Sequence, residues 1–328
     1  MNRPRILGIG SALIDTLLPV DDAFLANHVP GGKGGMVCAS RTEQDRWIGL
    51  AGREPVRAAG GAADNTLMAL GHLGADTVLF AKIGHDPDGE FYRRKLLESN
   101  VEPRLVMSGS SGTGRCLELV TPDGERTMRT CLGASGELTP EEADRIDFSG
   151  FGLVYFAGYL FSNMPVLEKI LDKARRAKCL VAMDLASFEV METFRKEVLQ
   201  ALKCDIDMVF GNEEETSVLT GPGKSAEAMA LELGKLCKVA AVKRGPQGSC
   251  VSVDGRLTVE KITPVHAVDT TAAGDNWAAG FLYGCMLGKT DAVSARMGSM
   301  VSAEVVQVYG SEMPETTWEK LRAKIGEL

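Results

Sequence analysis

The stretch that most constrains this chain runs from Val268 to Gly288, V-D-T-T-A-A-G-D-N-W-A-A-G-F-L-Y-G-C-M-L-G. An apolar, β-prone approach (Val265, Ala267, Val268) leads into a turn of small residues, Ala272-Ala273-Gly274. Apolar positions then recur at helical spacing, so the pattern predicts a strand passing through a turn into a helix. The first turn of such a helix has N–H groups without intrahelical partners and the positive end of the dipole, and small side chains let an anion reach them. A phosphate is the expected guest, with Ala272, Ala273 and Gly274 as the anion hole. Asp275 in its midst would repel that guest unless it has a task of its own. General base fits: it would take the proton of a hydroxyl that attacks the held phosphorus. The alternative is a helix N-cap, a common place for Asp. Gly280, Gly284 and Gly288 fall four apart, and each costs roughly 1 kcal/mol against Ala inside a helix. Their register predicts another backbone packed closely against that face.

With 328 residues and 45% hydrophobic content, the chain has length for one large α/β domain or two smaller ones. The 36 basic and 44 acidic residues give a net charge of −8 with no Lys/Arg block, which argues against a nucleic-acid or anionic-membrane partner. No apolar run approaches the ~20 residues of a membrane span, and MNRPRILGIG lacks the apolar core of a signal peptide. A cytoplasmic location is the expectation. Eight scattered cysteines without a C-x-x-C pair read as buried free thiols, and the four histidines, apart from one another and from cysteine, do not suggest zinc.

Along the chain, Arg5 to Gly10 reads as a strand that Ser11 to Asp15 continues to a lone carboxylate. Gly8 and Gly10 lack the third glycine of a dinucleotide fingerprint. From Thr16 to Ala59 periodicity is weak and an irregular excursion is expected. Gly60-Gly61 then opens a helix over Thr66–Leu73, with Asn65 as a cap or a ligand contact. A strand (Thr77–Ile83), a turn (Gly84–Gly89) and a helix (Glu90–Ser99) follow. Cys116–Val120 and Arg126–Cys131 flank Thr-Pro-Asp-Gly and predict a hairpin. With the preceding excursion it would make a small sheet covering a cleft. From Leu153 strand and helix alternate, the mark of an α/β layer fold. Strands are expected at 153–157, 180–184, 208–211, 239–243 and 250–253, and helices near 165–178, 193–203, 213–219, 225–235, 291–308 and 315–324. Asn212 and Glu215 are either a capped helix start or a pair holding water around Mg²⁺. Gly221-Pro-Gly-Lys224-Ser225 follows a helix and lacks the first Walker glycine, so it reads as a turn.

Together these stretches resemble the ribokinase family, also called the PfkB carbohydrate kinases, across nearly the whole chain. Gly60-Gly61-x-x-x-Asn65 through Gly74 and Gly84 resembles its N-terminal signature, and Asp269-Thr-Thr-Ala-Ala-Gly-Asp275 its C-terminal one. The long segment between Asp15 and Gly60, the tract Tyr155-Phe-Ala-Gly-Tyr159 and the Asn-Glu-Glu-Glu run look most like the adenosine-kinase-like branch. The resemblance implies a three-layer α/β/α doubly wound sheet with a small β-sheet lid, in one domain over 1–328 with the lid at about 16–59 and 113–133. It implies ATP as donor and Mg²⁺, and a small nucleoside or sugar as acceptor, in a monomer or homodimer. Carried over by position, Asp15, Ser11, Gly61, Asn65, Arg126 and Tyr159 would face the acceptor, and Asp275 would be the base above the 272–274 anion hole. Asn212 and Glu215 would serve Mg²⁺ and phosphate, with Lys243, Gly245 and Gly248 on the nucleotide side. Asp269, Thr271 and Gly310 fall where members bind a monovalent cation, so K⁺ is a further implication. The chain departs from the family at Ala272, usually Gly; at Asn276-Trp277; and at Ser11, where adenosine kinases often carry Asn. Ala272 is compatible with the anion hole if its φ is negative.

Overall fold

The computed structural model describes residues 4–328. In chain order its strands are β1 (Arg5–Ile9), β2 (Leu13–Pro19), β3 (Met36–Cys38), β4 (Val56–Gly60), β5 (Thr77–Gly84), β6 (Val101–Ser108), β7 (Gly114–Val120), β8 (Arg126–Cys131), β9 (Phe151–Ala157), β10 (Leu180–Asp184), β11 (Met208–Asn212), β12 (Val239–Lys243), β13 (Ser249–Val253) and β14 (Arg256–Glu260). The helices are α1 (Asp22–His28), α2 (Arg41–Ala51), α3 (Ala62–Leu73), α4 (Pro87–Glu98), α5 (Pro140–Asp144), α6 (Met164–Ala177), α7 (Phe188–Thr193), α8 (Arg195–Cys204), α9 (Glu213–Thr220), α10 (Ala226–Leu233), α11 (Ala273–Met286), α12 (Asp291–Val305) and α13 (Glu315–Gly326).

Nine strands form the large sheet in the order β14-β13-β12-β11-β10-β9-β1-β5-β6. It is parallel except where β13 pairs with β12 and β14. Side chains alternate between its faces with the period of a strand. Ile6, Leu79, Ala81 and Tyr155 join one core with α3, α11, α12 and α13, whereas Leu7, Ile9, Val78, Phe80 and Phe156 join another with α6 and α8. Burial on both faces is why these strands read as apolar runs. Gly280 and Gly284 pack as the spacing predicts: a Cβ on either would lie 2.5–2.6 Å from α12. Gly288 does not. It follows the last turn of α11 at φ +68 with open space around it, so its role is to end the helix.

The second sheet has the order β3-β8-β7-β2-β4. One face is covered by α1 and α2, where Leu18, Val20, Leu117 and Leu119 meet Leu25, Val29 and Trp47. The stretch expected to be irregular is therefore built. Asp21 caps α1 and Ser40 with Glu43 forms a capping box on α2. Its periodicity is weak because α1 buries only Leu25 and α2 only Gln44 and Trp47.

Three other expectations change. β1 ends at Ile9, and Gly10 to Ala12 carry the chain to the second sheet, so Asp15 does not continue β1. The approach to α11 over 261–272 is not a strand: Pro264 lacks a donor, Val265 and Val268 are exposed, and Val268 N–H bonds to Val306 O at 2.7 Å. All eight cysteines are free, but only Cys116, Cys179 and Cys250 are buried.

Candidate active site

β1 has β9 on one side and β5 on the other, and chain order reverses across it. Ligands of open α/β sheets bind beyond the carboxyl ends of the strands at such a switch. Here those ends and the uncovered face of the small sheet enclose a cavity of about 980 Å³.

α11 begins at its floor. Ala272 is the N-cap at φ +57 and uses no side chain to cap; the expected negative φ is not found. Its left-handed backbone is held because Asn276 donates to Ala272 O through N at 2.9 Å and Nδ2 at 3.0 Å. Ala273 N–H is engaged by Thr270 O at 3.2 Å, which leaves the N–H groups of Gly274 and Asp275 to a guest. At Gly274 a Cβ would lie 2.8 Å from Lys243 Nζ, so a larger residue would displace that ammonium.

Asp275 is not a cap but the third residue of the helix. Its Oδ2 accepts from Asn65 Nδ2 at 3.0 Å. Desolvation among the surrounding protein pushes its pKa up to about 7, with Asp184 adding repulsion and Asn65, Lys243 and Arg126 opposing. Asn65 is not a cap either, because α3 starts at Ala62 behind Gly61, and Asn65 is buried one turn in. A carboxylate titrating near neutrality at a helix start is equipped to accept a hydroxyl proton.

At the ends of β10, β11 and β12, Lys243 Nζ lies 2.7 Å from Asp184 Oδ2, the carboxylate buried and the ammonium nearly so. Burial works to lower the Lys243 pKa, but Asp184 and Glu215 outweigh it and the net direction is up. Asn212 and Glu215 form a reciprocal capping box: Glu215 N donates to Asn212 Oδ1 at 2.8 Å and Asn212 N to Glu215 Oε2 at 2.9 Å. The capped-start reading thus holds, and both residues also line the cavity. Burial, against the attraction of Lys243, pushes Glu215 up to about 7. Gly245 and Gly248 line the same side, at φ +52 and +91.

The opposite wall is the small sheet. Alternation along its strands turns Leu13 and Asp15, Cys116 and Glu118, and Arg126, Met128 and Thr130 to the cavity. Arg126 Nη1 pairs with Glu118 Oε2 at 3.2 Å. Asp15 is 5% exposed and has no hydrogen-bond or ion-pair partner among the described residues. Burial, then repulsion from Glu118, holds its pKa well above the usual carboxylate range. Ser11 and Gly61 sit over Asp64, whose Oδ2 accepts Ser11 N at 3.1 Å and whose Oδ1 accepts the Tyr92 hydroxyl. Tyr159 lines the cavity, whereas Phe161 is core and Phe188 lies outside the lining. Trp277 is buried behind Asp275, stacked on Phe281 at 5.2 Å.

Asp269 gathers its loop. Oδ1 accepts Thr271 N at 2.9 Å and Thr271 Oγ1 at 2.7 Å, and Oδ2 accepts Gly310 N at 2.9 Å. Thr271 reaches the cavity; Asp269 and Gly310 do not. Sequence reasoning missed Asp184, Glu118, Asp64 and Tyr92. Asp184 had a signal, since it ends an apolar strand as the lone carboxylate Asp15 ends its own apolar run.

A doubly wound sheet with an N–H cradle and a neutral-titrating carboxylate at its switch point defines the ribokinase-like phosphotransferases as the class. The chain belongs to the pfkB family of carbohydrate kinases, which it matches over residues 36–318. It is similar to a probable sugar kinase from Rhizobium etli, at 27% identity over all of both chains with a TM-score of 0.89. It is also similar to the adenosine kinase from Sinorhizobium meliloti, at 27% identity over 98% of this chain and 100% of that one with a TM-score of 0.86. The 5-dehydro-2-deoxygluconokinase of Geobacillus kaustophilus is 28% identical across 69% of this chain and 72% of its own. The protein is an ATP-dependent phosphotransferase of the carbohydrate and nucleoside kinase type.

Proposed function

We propose that the protein transfers the γ-phosphate of ATP to the primary hydroxyl of a ribonucleoside of the adenosine type. The observation that carries this reading is the acceptor wall, where an unpartnered Asp15 carboxylate stands among Leu13, Met36, Met128, Leu132 and Leu138. The carboxylate suits vicinal hydroxyls, and the apolar residues suit a flat base that a free sugar does not possess. The one cation of this wall, Arg126, is already paired with Glu118, which disfavours an acidic acceptor. Asp275 takes the hydroxyl proton while the first-turn N–H groups of α11 draw the phosphate toward the attacking oxygen. Lys243, Gly245 and Gly248 face the nucleotide, and Arg126 reaches the transferred group from the small sheet, which serves as the lid of a single domain.

The oxygen donors at the β10–β12 end fit a hard cation: Glu215 is buried with its pKa raised by burial, and it lines the cavity beside Asn212. Asn212 and Glu215 would hold Mg²⁺ through water, and Mg²⁺ supplies charge neutralisation to the phosphates. The loop gathered by Asp269 with Thr271 and Gly310 would hold K⁺ against its backbone carbonyls.

The test is a set of initial rates with Mg-ATP and adenosine, ribose, fructose or a keto-deoxy acid. Stacking a base contributes roughly 1 to 3 kcal/mol in single-strand binders, so adenosine is expected to exceed ribose by about tenfold or more in kcat/KM. A sugar that outruns every nucleoside overturns the reading and leaves a sugar kinase with the same base. Ser11, where an amide is common in adenosine kinases, is the residue that favours that second outcome.

A further inference from the structure

Asp15, Cys116 and Glu118 each offer a donor atom within 4.8 Å of the other two. Asp15 and Cys116 face each other across β2 and β7, and Glu118, two residues along β7, returns to the same face. They are 5%, 6% and 2% exposed. A second observation points to a ligand: the Asp15 carboxylate forms part of the cavity wall with no partner among the described residues, and a buried carboxylate without donors is costly. A sugar hydroxyl could answer Asp15, but it makes little use of a thiol, which is only a weak hydrogen-bonding group.

We propose that Asp15, Cys116 and Glu118 bind a borderline-soft divalent cation of the Zn²⁺ type, which occupies the acceptor half of the cavity and blocks it. Two carboxylates, one sulfur and an open fourth position make a set that zinc accepts, and the thiolate selects Zn²⁺ over Mg²⁺. Zinc–ligand bonds of about 2.0 to 2.3 Å put donors roughly 3.5 Å apart, so the side chains need to close by about 1 Å. The charges also match. Two carboxylates against the Arg126 guanidinium leave one negative charge; the thiol proton departs to solvent on binding and makes two, which the cation cancels. Arg126 engages Glu118 through Oε2, leaving Oε1 for the metal. Thr130 Oγ1 lies 3.4 Å from Cys116 Sγ on the same face and steadies the sulfur from the side.

The block of the acceptor rests on the functional reading above; the binding of the metal does not. The full chain, free of nucleotide, is titrated with ZnCl₂ by calorimetry, and with CdCl₂ to read the thiolate-to-metal absorption band. Wild type is compared with Cys116→Ala, and Cys38→Ala serves as control for the exposed thiol on the same face. One Zn²⁺ per chain is expected, with a Cd²⁺ band. Cys116→Ala should lose the band and weaken Zn²⁺ by about tenfold or more, while Cys38→Ala keeps the band. Unchanged Zn²⁺ affinity in Cys116→Ala, a band that follows Cys38, or Zn²⁺ competition with Mg-ATP instead of acceptor overturns the proposal. Binding that needs Cys116 but competes with no acceptor leaves the metal site standing and overturns the placement of Asp15 in the acceptor half.

Discussion

The two walls of the cavity hold their charges differently. At the strand ends of the large sheet the charged groups are already answered: Lys243 by Asp184 at 2.7 Å, and Glu215 by Asn212 through backbone and side chain. On the small sheet Asp15 has no hydrogen-bond or ion-pair partner among the described residues, and Arg126 pairs with Glu118. The first wall is organised before any ligand arrives, which is what stabilising a transferring phosphoryl group needs. The second carries an unmet demand that an acceptor has to satisfy, and discrimination arises from such demands. The small sheet is also covered by protein on one face alone, so its other face depends on the guest. Phosphate chemistry should thus be nearly the same for every acceptor, while selectivity resides in one wall.

The largest effect expected is at Asp275, where the walls meet. Asp275→Asn should lower kcat by roughly 10² to 10⁴, the range of general-base catalysis, with acceptor and ATP affinities largely kept; a variant retaining more than about a tenth of kcat would remove the base. In wild type kcat should fall as pH drops below about 7, where Asp275 takes up its proton. Stability carries the opposite sign. The folded pKa is raised above the ordinary carboxylate value, so the native state binds the proton more tightly, and that stabilisation is lost as pH climbs toward about 7. The melting temperature of Asp275→Asn relative to wild type should therefore rise from acid to neutral pH.

Asp15→Ala should come next and act on one wall only. Hydroxyls left unanswered cost roughly 1 to 3 kcal/mol, or about 5- to 150-fold in acceptor affinity, with ATP affinity unchanged. Equal losses for both ligands in calorimetry would erase the difference between the walls.

The same contrast decided what the sequence disclosed. Inner strands of the large sheet are apolar on both faces and α11 has an unbroken apolar period, so the alternation of strand and helix and the Asp275 turn were legible, whereas the exposed edge strands β6 and β14 were not. The small sheet was legible only at its hairpin. α1 and α2 bury too few side chains to leave a period, and β3 is three residues long. Partner-dependent features were hidden for another reason. Asp184 meets Lys243 from a strand 59 residues away, Glu118 meets Arg126 across a hairpin, and Tyr92 reaches Asp64 from the next helix. Each looks alone like a surface charge or a core aromatic. The sign of φ at Ala272 was hidden because the residue type argues against it.

Smaller effects sharpen the comparison from beneath each wall. Tyr92→Phe removes a donor from Asp64, which burial already holds up at about 6 and which keeps Ser11 in place. About 1.5 kcal/mol of stability should go with that bond, and acceptor KM should rise while ATP KM stays; a change in ATP KM alone would assign Asp64 to the other wall. Ala272→Gly is the smallest and tests the rigid wall. A left-handed alanine costs roughly 1 to 2 kcal/mol, and glycine gives back up to about 1 kcal/mol through the freedom of the unfolded chain. The variant should be more stable by up to about 1 kcal/mol, read from denaturant midpoints at constant slope, with kcat little changed because the anion hole is backbone. A fall in kcat with a gain in stability would mean that the Cβ of Ala272 holds the cradle rigid, and that the phosphate wall is kept in place by strain as well as by partners.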